Sequence, residues 1–267
     1  MEPHEDRLPP VIPPTEPTDL SVAPAQAEPS PWGFWATLGF LVPILGAYFV
    51  AQVPAVAIYF ALAWPDRPDL TTLENNGFFL AIAALCSAPV AIGICLSLAA
   101  MRKGCRLRDY FGLYWPSASR AFRWGSALGA LVFATDFVTT QWLHRPLVPE
   151  VMIDAYRTAK VLPLFWFAII VAAPCAEEFV FRGFLFRGMF GSGDSNLRIA
   201  SAIIVPSIFW SALHLQYDSY GMFVIFLSGL LLGVARMKSG SLLLCIALHA
   251  LMNLIATIEI EILLRLA

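Results

Sequence analysis

Seven stretches of this chain are apolar for long enough to enter a bilayer, at about 34–63, 77–101, 122–142, 161–186, 200–216, 220–236 and 241–260. Inside a membrane every backbone N–H and C=O must find its partner within the protein, so such runs have to be helices. The predicted fold class is therefore all-α: a polytopic membrane bundle of seven helices, with eight as the alternative. The alternative comes from the first run, which is long and holds Pro43 and Pro54. It is either one kinked, tilted helix or a span followed by an interfacial helix. Composition agrees, because 58% of the 267 residues are hydrophobic and only 13% charged, too few to coat a soluble domain. Trp32, Trp35, Trp64, Trp115, Trp124, Trp142 and Trp166 fall near run ends, where amphipathic rings prefer the headgroup layer. Trp210 stands within a run.

Residues 1–31 differ in kind, with nine prolines and six acids against one arginine. No helix passes through those prolines, and no basic stretch precedes an apolar core. The segment reads as a disordered, acidic, Pro-rich tail and not as a signal peptide. Residues 32–267 then form the integral membrane domain.

Basic residues orient the bundle. The 102–123 segment, RKGCRLRDYFGLYWPSASRAFR, holds six of the seventeen Lys and Arg. With that segment cytoplasmic, the same side collects eleven basic residues, from Arg7, the six, Arg187, Arg198, Arg236 and Lys238. The opposite side collects five: Arg67, Arg145, Arg157, Lys160 and Arg265. This asymmetry places the N-terminal tail in the cytoplasm and, with seven spans, the C-terminus outside. LRDYFGLYW is expected to lie along the interface. Cys86, Cys95, Cys105, Cys175 and Cys245 show no metal-binding spacing and read as packed apolar residues. No nucleic-acid motif or phosphate-binding loop is present.

Ionisable groups within a bilayer are costly and mark function by default. Here they are Asp136, Glu177, Glu178, Arg182, His214 and His249. In EEFVFR, Glu178 and Arg182 are four apart, share a helix face and can neutralise each other. Glu177 is turned by roughly 100° and gains no such partner, which suits a general acid or base. Trp210 and His214 are four apart in FWSALH, and His249 and Asn253 are four apart in HALMN. A carboxylate, two imidazoles and an amide on three helices can polarise a water and stabilise an oxyanion. Taken singly, a membrane ion pair or histidine also serves as a tie between helices. Asp136, alone in its run, reads as structural or accessory.

Glu-Glu-x-x-x-Arg, then aromatic-x-x-x-His, then His-x-x-x-Asn, each on its own membrane helix, resembles the CPBP family. Its members are the CAAX-processing endopeptidases and the bacteriocin-immunity (Abi) type membrane proteases. The resemblance covers roughly residues 160–260 and includes the text EEFVFRGFLF. It implies a glutamate-dependent intramembrane endopeptidase in a membrane such as the bacterial inner membrane, acting on a peptide or membrane-protein substrate that in some members is prenylated. Carried over residue by residue, it makes Glu177 and His214 the activators of a water, and His249 and Asn253 the oxyanion binders. Glu178, Arg182 and Trp210 would support them. The family more often has phenylalanine where Trp210 stands, and the larger ring would narrow a substrate channel. The reading is of a site without a metal or other cofactor; were zinc held, its ligands would be Glu177, His214 and His249.

Two other readings were weighed. GSGD at Gly191–Asp194 and YD at Tyr217–Asp218 echo intramembrane aspartyl proteases, but in reversed order and in polar loops, where they read as turns. A non-proteolytic scaffold or immunity factor, its polar cluster only holding helices together, is the alternative function.

Overall fold

The computed structural model describes residues 32–63, 70–102, 104, 106–190 and 195–266. The N-terminal tail, Trp64, Arg67, Lys103, Cys105 and Gly191–Asp194, where the sequence suggested a turn, lie outside the described residues. Within them the regular structure is entirely helical, as the apolar runs require.

The first run is broken just before Pro54, whereas Pro43 lies inside the first helix. Helix α1 spans Phe34–Val50 and α2 spans Val53–Ala63. Pro54 has no N–H for the carbonyl four residues back and crowds it, so the chain turns at Ala51–Gln52 before α2 begins. Helix α3 (Gly77–Ala100) starts at an N-cap, the Asn76 side chain accepting from the Phe79 N–H at 3.0 Å. It packs against α1, α2 and the later helical segments Glu150–Thr158 and Leu162–Met189, and so forms the spine of that half. A short helix, α4 (Leu107–Phe111), follows. The interfacial segment expected there is better anchored than its sequence implies, since Tyr110 and Phe111 are fully buried.

Helix α5 (Ala118–Phe137) widens into a π-helical turn, Val138–Trp142, and an amphipathic helix, α6 (Glu150–Thr158), lies beyond it. Helix α7 (Leu162–Met189), α8 (Asn196–Ala212), α9 (Ser219–Ser239) and α10 (Leu242–Leu266) complete the bundle. The tightest pair is α8 with α9. Gly233 makes this approach possible, because a Cβ there would stand 2.8 Å from the Ile203 side chain.

Among the described residues five helices are long and apolar enough to cross a membrane: Phe34–Leu62, Gly77–Ala100, Leu162–Met189, Ser219–Ser239 and Leu242–Leu266. The two other expected crossings are helices of a different quality. Helix α5 carries Arg120, Arg123 and Asp136, and α8 has only 17 residues.

Both ends of the bundle are fastened by polar ties. At the end holding α4, Arg236 donates from Nε to the Arg182 carbonyl at 2.9 Å, from Nη2 to the Phe111 carbonyl at 3.0 Å, and from Nη1 to the Gly240 carbonyl. Arg236 was expected as a loop charge; it is instead buried, and its role is to tie α9 to α4 and α7. Gly112, in a left-handed conformation (φ 67°), sits where a Cβ would strike the Gly240 carbonyl at 2.1 Å. At the opposite end Arg145 pairs with Asp218, Tyr156 donates to Glu261, and the hydroxyls of Thr139 and Tyr220 meet at 2.7 Å.

Candidate active site

Helix α7 carries the two glutamates between two π-helical turns, Ala168–Ala172 and Phe179–Leu185. The first turn has a cause in the sequence. Its register bonds the Ala173 N–H to the Ala168 carbonyl, five residues back. One residue on, that register needs an N–H at Pro174, which has none. The Ile169 carbonyl is thereby left for an outside donor, and the Asn253 amide of α10 supplies it, Nδ2 to O at 2.7 Å. The expected oxyanion donor is thus held by one N–H to the helix that bears the glutamates. Its second amide hydrogen stays available.

Glu178 and Arg182 meet as their spacing predicts, Arg182 Nη1 donating to Glu178 Oε1 at 2.8 Å, with both side chains buried. The pair is also larger than predicted. His249 Nδ1 reaches the same carboxylate oxygen at 2.9 Å. A carboxylate can only accept, so Nδ1 carries the hydrogen and Nε2 faces away from Glu178. Glu178 therefore orients His249 as well as neutralising Arg182. Its second oxygen, Oε2, is buried with no hydrogen-bond partner among the described residues. Arg182 spends its remaining polar reach on the Gly229 carbonyl of α9, Nη2 to O at 3.1 Å, and lies 4.5 Å over the Trp210 ring.

Glu177 departs from expectation. It was read as unpaired, yet the Trp210 indole Nε1–H donates to its Oε2 at 2.5 Å. His249 Nε2 stands 3.9 Å from that oxygen. Unlike fully buried Glu178, the Glu177 side chain keeps 24% of its surface exposed. His214 follows the last turn of α8, and its Nδ1 lies 2.8 Å from the Trp210 carbonyl. A carbonyl cannot donate, so this fixes the hydrogen on Nδ1 and leaves Nε2 with a lone pair. Trp210 packs edge-on to both imidazoles, its ring 5.5 Å from His214 and 5.1 Å from His249.

All seven residues singled out from sequence thus enter one network or its direct neighbours: Glu177, Glu178, Arg182, Trp210, His214, His249 and Asn253. Asp136 makes none of these contacts. Tyr217 was missed, and only its place three residues after His214 could have suggested it. Its ring lies 6.2 Å from His214, and burial, with the Glu177 charge as the smaller cause, pushes its phenol up to about 12. It remains an O–H donor at neutral pH. Tyr217–Asp218 is a helix start, Asp218 Oδ1 capping the Gly221 N–H at 2.8 Å.

Among the described residues no group of three or more His, Cys, Asp or Glu has metal-holding spacing. Nδ1 of His214 and of His249 is held by the Trp210 carbonyl and by Glu178, which leaves Nε2 of both outside those bonds. Cys86, Cys95, Cys175 and Cys245 are free thiols.

Residues 159–255 match the family described as type II CAAX prenyl endopeptidase Rce1-like. The matched segment contains every residue of the network just described. No curated protein and no solved structure matches the chain.

Proposed function

Because residues 159–255 place the chain in the CPBP family of CAAX-type membrane proteases, we propose that it is an intramembrane endopeptidase whose peptide-bond hydrolysis uses a water activated by Glu177. The observation that carries this reading is the contrast between the two adjacent glutamates. Glu178 is sealed between Arg182 and His249, whereas Glu177 is partly exposed and holds one indole donor. Sealing suits a positioning group, and a partly open carboxylate suits a base.

The chemistry assigns itself by donors and acceptors. Glu177 takes a proton from the water, and the His214 Nε2 lone pair orients the second hydrogen. The hydroxide so formed attacks the scissile carbonyl carbon, and the C=O electrons move to oxygen. His249, donating from Nε2 in its doubly protonated form, and the second Asn253 N–H meet that oxyanion. The proton on Glu177 then passes to the amide nitrogen, the oxyanion electrons re-form C=O as the C–N bond breaks, and the carboxylic acid so formed gives its proton to the freed amine, leaving a carboxylate and an ammonium.

The substrate in this reading is a membrane-associated peptide, with prenylated chains as the class that the family description names. The protein is an integral membrane protein, seven crossings in a bacterial inner membrane with the N-terminal tail cytoplasmic. The competing reading, a scaffold whose polar cluster ties helices, draws on the Asn253–Ile169 and Arg182–Gly229 bonds. Incubating the purified full-length chain with a peptide library separates the two. Protease activity predicts mass-spectrometric cleavage products that vanish in Glu177→Ala; a scaffold yields none from either protein.

A further inference from the structure

Arg236 is buried, 4% exposed, and takes no part in the proposed chemistry. Its guanidinium carries five N–H donors and a full positive charge. Three donors go to the Arg182, Phe111 and Gly240 carbonyls, and two remain, one on each terminal nitrogen. Carbonyls satisfy hydrogen bonds but bring no full negative charge. Among the described residues Arg236 forms no ion pair. A buried cation without a counter-charge is costly.

The same guanidinium lines a cavity of about 180 Å³, with Arg187 as a second cation in the wall. Arg187 donates from Nη1 to the Phe190 carbonyl at 3.2 Å, and the Phe186 ring lies 5.5 Å from the Arg236 guanidinium. Tyr114 and Asp109, both exposed, stand at the rim. Asp109 forms no ion pair with Arg236. The cavity sits beside α4, where the spans Leu162–Met189 and Ser219–Ser239 end and Leu242–Leu266 begins. Span ends lie at the level of the lipid headgroups, and the exposed Tyr114 and Trp115 fit the aromatic belt found there.

We infer that this cavity binds a phosphoryl anion, the phosphodiester of a phospholipid headgroup or a free phosphate. The anion supplies the charge that Arg236 lacks and accepts its two remaining donors, as guanidinium groups commonly serve phosphate. Asp109 at the rim suits the ammonium of a phosphoethanolamine headgroup, which would engage all three charged side chains. A bound anion braces Arg236, and through it the Arg182 carbonyl of α7, so that binding stabilises the fold.

The test uses the full chain purified in detergent and stripped of lipid by exchange. Thermal midpoints are measured with phosphatidylethanolamine, with diacylglycerol of the same acyl chains, and with inorganic phosphate alone, while native mass spectrometry counts bound lipid. Phosphatidylethanolamine should raise the midpoint saturably with one lipid retained per chain, and diacylglycerol should not. Arg187→Gln, which leaves the three Arg236 bonds in place, should weaken the apparent affinity by about tenfold, and Arg236→Gln should abolish the response. Should Arg236→Gln fail to fold, Arg187→Gln carries the comparison. Protection by phospholipid alone assigns the anion to the bilayer, and equal protection by inorganic phosphate assigns it to a soluble source. Diacylglycerol as effective as the phospholipid, protection by neither anion, or an unchanged affinity in Arg187→Gln would overturn the inference. Binding is read without peptide hydrolysis, so its failure and that of the endopeptidase reading are distinguishable.

Discussion

Trp210 on α8 donates its indole N–H to Glu177 on α7, 2.5 Å away, while its ring supports Arg182 on one side and touches both site histidines on its edges. One side chain thus contacts the candidate base, the cation that balances its neighbour, and both imidazoles. Phenylalanine, the residue more usual at this place in the resembling family, keeps the flat body and loses the donor.

Trp210→Phe should therefore fold and lose turnover. A hydrogen bond to a charged group is worth about 1.5–3 kcal/mol, so kcat should fall by roughly tenfold to hundredfold while the thermal midpoint moves little. Unchanged kcat would show that the indole N–H is incidental to Glu177.

Glu178 serves two partners, and its removal should reveal both. Glu178→Ala strands a buried arginine, at about 3–5 kcal/mol for a broken buried pair, so expression and thermal stability should drop along with activity. In Glu178→Ala, Arg182→Ala the stability should largely return, because no unpaired charge remains. Activity should not return, because His249 still lacks the acceptor on Nδ1. Thermal midpoints and kcat measured side by side check this; purely additive stability losses would count against the pairing.

Pro174 makes an unusual backbone prediction. Pro174→Ala restores an N–H that can bond the Ile169 carbonyl, in competition with Asn253. The variant should be at least as stable as the parent and several-fold slower. Asn253→Ala should be slower still, by about 10²–10³ for a lost oxyanion donor, yet measurable, and His214→Ala should lose more. Zinc chemistry would make a different pattern. There His214→Ala and His249→Ala would be equally dead and metal-free beside a parent with one zinc per chain, which metal analysis of the purified proteins decides.

These expectations separate what the sequence carries from what it does not. The spacing in EEFVFR made the Glu178–Arg182 bond legible, because four residues on a helix meet without help from the rest of the fold. Helix breaks at Pro54 were legible for the same local reason. The Trp210–Glu177 and His249–Glu178 bonds were not, since each joins two helices and depends on their rotation about their own axes. Two π-helical turns in α7 reset that rotation, and only the first has a visible cause, in Pro174. Arg236 misled because it stands at the end of an apolar run beside Lys238, whereas two of its carbonyl partners, Arg182 and Phe111, are far away in sequence and only Gly240 is local. Helix counts suffered similarly. Hydropathy sees α5 and α8 as runs like the others, whereas α5 carries Arg120, Arg123 and Asp136 and α8 has only 17 residues.

At the end of the bundle opposite α4, the ion pair of Asp218 with Arg145 gives a pH dependence. The Gly221 N–H, and then Arg145, hold the Asp218 carboxyl below the usual carboxylate range. A depressed carboxylate stabilises the fold above its unfolded value of about 3.9 and loses that contribution as pH falls through the folded value. Thermal midpoints of the parent should therefore drop on acidification below about pH 4, and Asp218→Asn should drop less over the same interval. Because both side chains are substantially exposed, the difference should be small. Equal slopes would remove Asp218 from the account.

The central claim is that Glu177 is the base, and Glu177→Gln tests it most directly. The substitution keeps the shape of the side chain and an oxygen for the Trp210 N–H, but it cannot take a proton from water. Turnover of the purified variant on a peptide that the parent cleaves, with folding verified by its thermal midpoint, is the measurement. The account predicts a folded protein with no cleavage above background; turnover at the parent's rate from a folded Glu177→Gln would contradict it.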